Sequence, residues 1–193
     1  MSFLDEMLFG ELVTLASDLL EALDVGLDTE HTKDTPERYA RMLWELTHPP
    51  KFEFTTFPNE PAVDEMVVLN DIPFFSLCQH HVIPFFGVAH VGYIPGSRLA
   101  GLSKFARAVQ SVSKGLWVQE LLNSAIADAI ENALVDPLGV AVVLSAEHLC
   151  MSMRGVQVPG VRTTTSVLRG AFADHKRLAR QEFFNHIDRN GKR

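Results

Sequence analysis

A chain of 193 residues, 47% hydrophobic and 21% charged, belongs to the globular class and is long enough to bury a sizeable core. Its net charge of -7 excludes a general attraction to nucleic acid or to an anionic membrane, and no apolar run reaches the roughly 18 residues of a spanning helix. Two cysteines make no disulfide framework, and Met1–Glu6 lacks the basic start of a signal peptide, so a reduced cytoplasmic setting is expected.

Residues 3–24 predict an amphipathic helix, because Leu4, Leu8, Leu12, Leu15, Leu19 and Leu23 recur at steps of three and four, with Gly26 as the stop. That stripe reads as a core-facing or oligomer-facing surface. A second helix starts at Thr35 as N-cap, with Pro36 at the first helical position, and runs to about Leu46. Arg38 and Arg41 share one of its faces, either as a solvated surface or as a basic patch for an anion. Pro49, Pro50, Pro58 and Pro61 mark residues 48–62 as a loop. Residues 1–62 are therefore expected to form a helical arm and loop, and residues 63–193 the main domain.

Two strands, Val63–Leu77 and Val82–Ile94, are expected to pair antiparallel around Ser76-Leu77-Cys78-Gln79-His80-His81. The next helix opens at Gly101-Leu102-Ser103-Lys104 with Ser103 as N-cap. Its first turn carries Lys104 and Arg107, which suit either an anion site or an ordinary surface. Residues Trp117–Leu134 predict another helix, with Gln119 and Glu120 near its start, where an acid also serves simply to complement the helix dipole. The apolar run Val140–Met151 reads as a strand that delivers His148 and Cys150 on one face. Residues 162–172 suit a fourth strand, and Asp174 is expected to cap a last helix that buries Leu178, Phe183, Phe184 and Ile187. The order implies an α+β domain: a four-stranded antiparallel sheet, two helices between its hairpins, and helices on one face.

The chemistry concentrates in two short stretches. Cys78 and His81 are three residues apart, and Cys150 brings a distant second thiol, a three-donor pattern that leaves one position open on a catalytic zinc ion. The same residues also read as two inert buried cysteines and satisfied core histidines.

Several motifs in register resemble GTP cyclohydrolase I. Ser76-Leu77-Cys78-Gln79-His80-His81 is similar to the family's S-x-C-E-H-H, and Gly101-Leu102-Ser103-Lys104-Phe105-Ala106-Arg107 to its G-L-S-K-x-x-R. Gln119-Glu120 resembles its Q-E pair, His148 to Gly155 its H-x-C-x-x-x-R-G, and Thr35 to Met42 its T-P-x-R-x-A-x-M. The resemblance runs from about residue 20 to about 188. It implies a tunnelling fold, a homodecamer of two stacked pentameric rings, active sites between subunits, and conversion of GTP and water to 7,8-dihydroneopterin triphosphate and formate in residues 63–193.

The matching positions then take the family's roles. Cys78, His81 and Cys150 would hold Zn²⁺, and the metal would activate a water for attack on guanine C8. His80 and His148 would pass protons. Glu120 would accept hydrogen bonds from the guanine N–H groups, with Gln119 assisting. Lys104, Arg107 and Arg154, expected to cluster around one helix start and one strand end, would hold the triphosphate with Ser103 nearby. Arg38 and Arg41 would reach the phosphates from a neighbouring subunit.

Three departures stand out: Gln79 for a usual Glu, Lys114-Gly115-Leu116-Trp117 for a segment that usually carries Arg and Gln, and Leu121 for a common Arg. They alter the surroundings of the base pocket and leave the donor set intact. Two other readings stay open. One is a deazaguanine-reductase-like or other purine or pterin enzyme of the same fold, with Cys78 as nucleophile. The other is a non-catalytic homologue whose metal site is closed by His80 or His148.

Overall fold

The structure is a computed structural model that describes residues 3–60, 62–174 and 178–190. The chain forms two compact units, Met1–His48 and Pro49–Arg193.

The first unit is a pair of helices, α1 (Phe3–Ala22) and α2 (Thr35–Thr47). Phe9 meets Trp44 edge-on at 6.0 Å, and the Arg41 guanidinium lies 5.4 Å from the centre of the Phe9 ring. Asp34, not Thr35, is the residue before the first helical turn, and Pro36 then stands within that turn, where its missing N–H costs nothing. Arg38 pairs with Asp34 at 3.1 Å and Arg41 with Glu37 at 2.5 Å, each one helical turn away. Leu4, Leu8, Leu15, Leu19 and Leu23 of the expected stripe are exposed in this unit.

The second unit is built on a sheet whose order is β5-β2-β3-β6-β7: β2 (Val67–Cys78), β3 (Pro84–Ile94), β5 (Leu116–Trp117), β6 (Gly139–His148) and β7 (Arg162–Gly170). The two hairpins β2–β3 and β6–β7 are the four expected strands, joined antiparallel through β3 and β6. A fifth strand was not foreseen. Trp117, expected to start a helix, extends instead with Leu116, and the two pair parallel with Leu77–Cys78. Within the Pro-rich stretch, β1 (Thr56–Pro58) pairs with β4 (Arg98–Ala100).

Between the hairpins run α3 (Leu102–Val112) and α4 (Gln119–Leu134). They cover one sheet face, where Phe85, Ala89, Val91, Tyr93, Val142 and Leu144 pack against Phe105, Val109, Leu122, Ile126 and Ile130. Gly101 caps α3, so Ser103 is already inside the first turn. The alternate residues of β6, Ala141 and Val143, face the other way and pack with Phe172 and Phe183. Phe183 comes from α6 (Leu178–Asn190), so helices lie on both faces rather than one. Gly92 makes room for it, since a Cβ there would lie 2.7 Å from the Phe183 ring. The expected cap at Asp174 is followed by residues 175–177, which lie outside the described residues.

A bulge at Asn70-Asp71 breaks the β2–β3 register, with Asp71 at φ 56°. Buried His90 faces it: the Asp71 amide donates to His90 Nδ1 at 3.3 Å. Burial holds the imidazole below its usual range, aided by Arg162 and opposed by Asp71. Asp188 lines a cavity together with His90, Asp71 and Arg162. On acidification below about pH 6.5 the unfolded chain therefore takes up this proton first. The stability His90 confers is complete at neutral pH and is lost as pH falls towards the folded value. Urea midpoints between about pH 7 and pH 5 should fall less steeply for His90→Asn than for wild type. Equal slopes would refute this account.

Candidate active site

Four separate stretches meet at one end of the sheet. Cys78 ends β2 and opens a tight turn: its carbonyl accepts from the amides of His81 and Val82 at 3.2 and 2.9 Å, while its own N–H donates to Ile83 O at 2.8 Å. This curl folds the two histidines back on the thiol, placing His80 Nδ1 and His81 Nδ1 each 3.8 Å from Cys78 Sγ. The donor atoms of the three residues lie within 4.8 Å of one another.

Cys150 arrives differently from expectation. Strand β6 stops at His148, and Cys150 sits in α5 (Leu149–Ser152), a single helical turn. The two side chains therefore do not alternate along a strand. They still reach one site, because His148 is in register with Phe85, which neighbours Ser76 on β2. Burial chiefly pushes the Cys150 thiol up, and the hydrogen bond and charge of neighbouring Cys78 push it the same way, against Arg154. Both cysteines are free thiols.

A cavity of about 230 Å³ opens beside these donors, lined among others by Cys78, His80, Trp117, Gln119, Glu120, His148 and Cys150. It is smaller than the roughly 300–1,000 Å³ that encloses a drug-sized ligand, so it suits one ring system rather than a whole nucleotide.

Gln119 has a task the sequence did not suggest. It is buried, and its Nε2 donates to Leu144 O, Thr163 O and Thr165 Oγ1 at 3.4, 3.0 and 3.2 Å. These acceptors fix the amide, so its Oε1 is the atom that faces His148 Nε2 at 2.7 Å. His148 Nε2 must then carry the hydrogen, which leaves Nδ1 as the basic nitrogen. Phe85 stacks flat on the imidazole at 4.6 Å, with only 2° between the rings. Burial lowers the His148 pKa, with Glu120 acting in the opposite direction. Gln119 thus has no amide hydrogen left for a ligand, whereas Glu120 is exposed at the start of α4. Thr163, Thr165 and Phe85 carried no sequence signal beyond strand propensity.

The cationic residues divide. Arg154 is at the site, its Nη1 3.3 Å from His81 Nε2. Ser103, Lys104 and Arg107 do not join it within one chain. The residue before α3, Gly101, bonds to Thr55, while Gly115, beyond its other end, bonds to Leu77. At 1.5 Å per residue this 11-residue helix is about 16 Å long, so Ser103 and Lys104 stand at its far end from the Cys78 turn. Arg107 lines a different cavity of about 460 Å³ with Lys51, Lys114 and Phe75. Arg107 thus lines a cavity other than the one beside Cys78, whereas Arg154 contacts His81. Arg38 and Arg41 belong to the Met1–His48 unit and hold their helix partners.

No helix of the described residues is long and apolar enough to cross a membrane. Comparison with known proteins agrees with the motif pattern. Residues 13–188 match the family model for GTP cyclohydrolase I. The GTP cyclohydrolase 1 of Halalkalibacterium halodurans is 49% identical over 161 residues, 81% of this chain and 85% of that protein. That of Bacillus subtilis is 47% identical over 176 residues, 89% and 91% of the two chains. That of Hydrogenobaculum sp. is 46% identical over 168 residues, 87% and 91%. Among solved structures, the apo archaeosine synthase QueF-Like is similar over 54% of this chain and 93% of that chain, at 20% identity and a TM-score of 0.43. With the family model matching most of its length, and a tunnelling-type order of hairpin, two helices and hairpin, this chain belongs to the GTP cyclohydrolase I family of hydrolases.

Proposed function

We propose that the chain hydrolyses and rearranges GTP to 7,8-dihydroneopterin triphosphate, releasing C8 as formate, at the cavity beside Cys78. The observation that carries this reading is the convergence there of Cys78, His80, Gln119, Glu120, His148 and Cys150. Zinc fits the donors, since the soft thiol of Cys78 and two imidazoles are grouped on one turn and Cys150 hydrogen-bonds to Cys78; Cys78, His81 and Cys150 would hold it with a position open. When bound, zinc supplies Lewis acidity and a water acidified to near neutral pH.

The protein's own groups do the rest. Glu120, exposed at the cavity, accepts from the guanine N–H groups as a carboxylate does best. His148 exchanges protons through Nδ1, because Gln119 occupies Nε2. His80 is the second proton carrier. Arg154, whose guanidinium lies against the His81 imidazole and near Cys150, turns to the triphosphate. Ser103, Lys104 and Arg107 act on a nucleotide held partly by another copy of the chain, as does the Arg38–Arg41 face. That division supports a homo-oligomer with sites between subunits, in keeping with a decamer of two pentamers.

The direct test incubates zinc-loaded protein with GTP and follows oxidised neopterin by fluorescence together with formate. Formate without a pterin, or neither product, overturns the reading. Gln119 offers a second check as a positioning residue. Gln119→Leu should lower kcat about ten- to a hundred-fold, as loss of an orienting partner does, with KM for GTP changed much less. A raised KM at constant kcat would instead make Gln119 a base-recognition residue.

A further inference from the structure

The indole of Trp117 is a cavity wall that the reading above does not use. Two backbone bonds bracket Cys78 and fix β5 beside it: Leu77 N–H to Gly115 O at 3.2 Å, and Gln79 N–H to Trp117 O at 3.1 Å. The side chain is held as well. Trp117 Nε1–H donates to Lys114 O at 3.4 Å, and the indole packs against the helix-side core. Gly115 makes that pose possible: its φ is 127°, and a Cβ on it would crowd Trp117 Nε1 at 3.3 Å. Half-buried Trp117 is one of the residues lining the cavity of about 230 Å³, together with Glu120 and His148.

A flat aromatic group anchored on its edge presents its face, and a π-face takes any planar base by stacking. The carboxylate of Glu120 supplies an acceptor for the edge of such a ring. We propose that Trp117 is the stacking wall for the purine of the substrate and sets base affinity jointly with Glu120. The proposal rests on the reading that this cavity takes the guanine of GTP.

Trp44 is the one other tryptophan in the chain, so a Trp44→Phe background leaves Trp117 as the sole indole reporter. In stopped flow, GTP should quench its emission on mixing, before turnover, and inorganic tripolyphosphate should not. Trp117→Leu should raise KM for GTP about five- to a hundred-fold, the range of one lost base–aromatic stack, with kcat and zinc content changed far less. Trp117→Phe should recover most of that loss. Inhibition by tripolyphosphate should be equal in wild type and Trp117→Leu. Normal turnover of GTP with no quench overturns the proposal and leaves the proposed function standing. Parallel loss of GTP and tripolyphosphate binding in Trp117→Leu overturns it too, by making the indole a structural prop. Failure of the wild type to bind or convert GTP removes both readings together.

Discussion

Cys150→Ala protein will contain little zinc and will turn GTP over at least about a hundred-fold more slowly than wild type. The floor follows from the outer shell: partners that only orient a ligand already cost ten- to a hundred-fold when removed, and a donor atom costs more. Two three-donor sets compete, the proposed one through Cys150 and the one that the structure groups on the turn. One is Cys78, His81 and Cys150. The other is Cys78, His80 and His81, whose donor atoms converge within 4.8 Å on the turn alone. His80→Asn separates them. If Cys150 is the third ligand, His80→Asn keeps its zinc and loses only proton transfer, about 10²- to 10⁴-fold in kcat. Full zinc in Cys150→Ala together with loss of zinc in His80→Asn would move the ligand role to His80. Loss from both would indicate a closed four-donor site, without room for water, and would favour the non-catalytic alternative. Elemental analysis and circular dichroism on the same samples decide the matter, because the fold at the turn is held by sheet hydrogen bonds and should persist in each variant.

Mixed oligomers of Arg107→Glu and Cys78→Ala will recover activity that neither parent has. Within one chain Arg107 lines a cavity distinct from that of Cys78. If the triphosphate reaches Arg107, it does so on another copy. Reversing that charge removes a phosphate contact worth roughly 1.5–3 kcal/mol and adds repulsion, so the parent should lose well over tenfold in GTP affinity. Co-refolding equal amounts should then give roughly a quarter of sites with both halves intact, as expected for a head-to-tail ring. Activity no greater than the sum of the parents, in oligomers shown by two affinity tags to be mixed, rules out sharing through Arg107. The same cross with Arg41→Ala tests the helical unit independently.

The order of elements was legible because it rests on short-range signals. β-branched and aromatic runs mark β2 and β3, and Gly-Pro punctuation separates α4 from β6. The grouping of Cys78 with His80 and His81 was legible for a related reason: all three belong to one turn, and a pattern of that kind is local. What failed was local geometry decided by tertiary partners. Trp117 reads as a helix start, yet the edge of β2 offers hydrogen bonds that draw it into a strand. Cys150 reads as strand, yet the chain turns into α5 directly after His148. Ser103 looks like the better cap by propensity, yet Gly101 occupies that position. The contact of Gln119 with His148 could not be read from sequence, where Gln119 was expected to assist Glu120, since its acceptors Thr163 and Thr165 arrive from β7 more than 40 residues later. Ser103, Lys104 and Arg107 show the converse problem: their motif is clear in sequence, yet Arg107 lines a cavity other than the one beside Cys78.

The two backbone bonds that flank Cys78 bear on how the proposed zinc would be acquired. Small zinc modules are disordered when stripped, so part of their affinity is consumed in ordering the chain. Here the ligand turn hangs from a strand pair that is closed on both sides of the cysteine, by Leu77 to Gly115 and by Gln79 to Trp117. The donors are thus arranged before any ion arrives, and little conformational entropy remains to be lost on loading. A chelated sample should stay folded and reload reversibly, and its Leu77 and Gln79 amides should exchange slowly with solvent deuterium whether or not zinc is present.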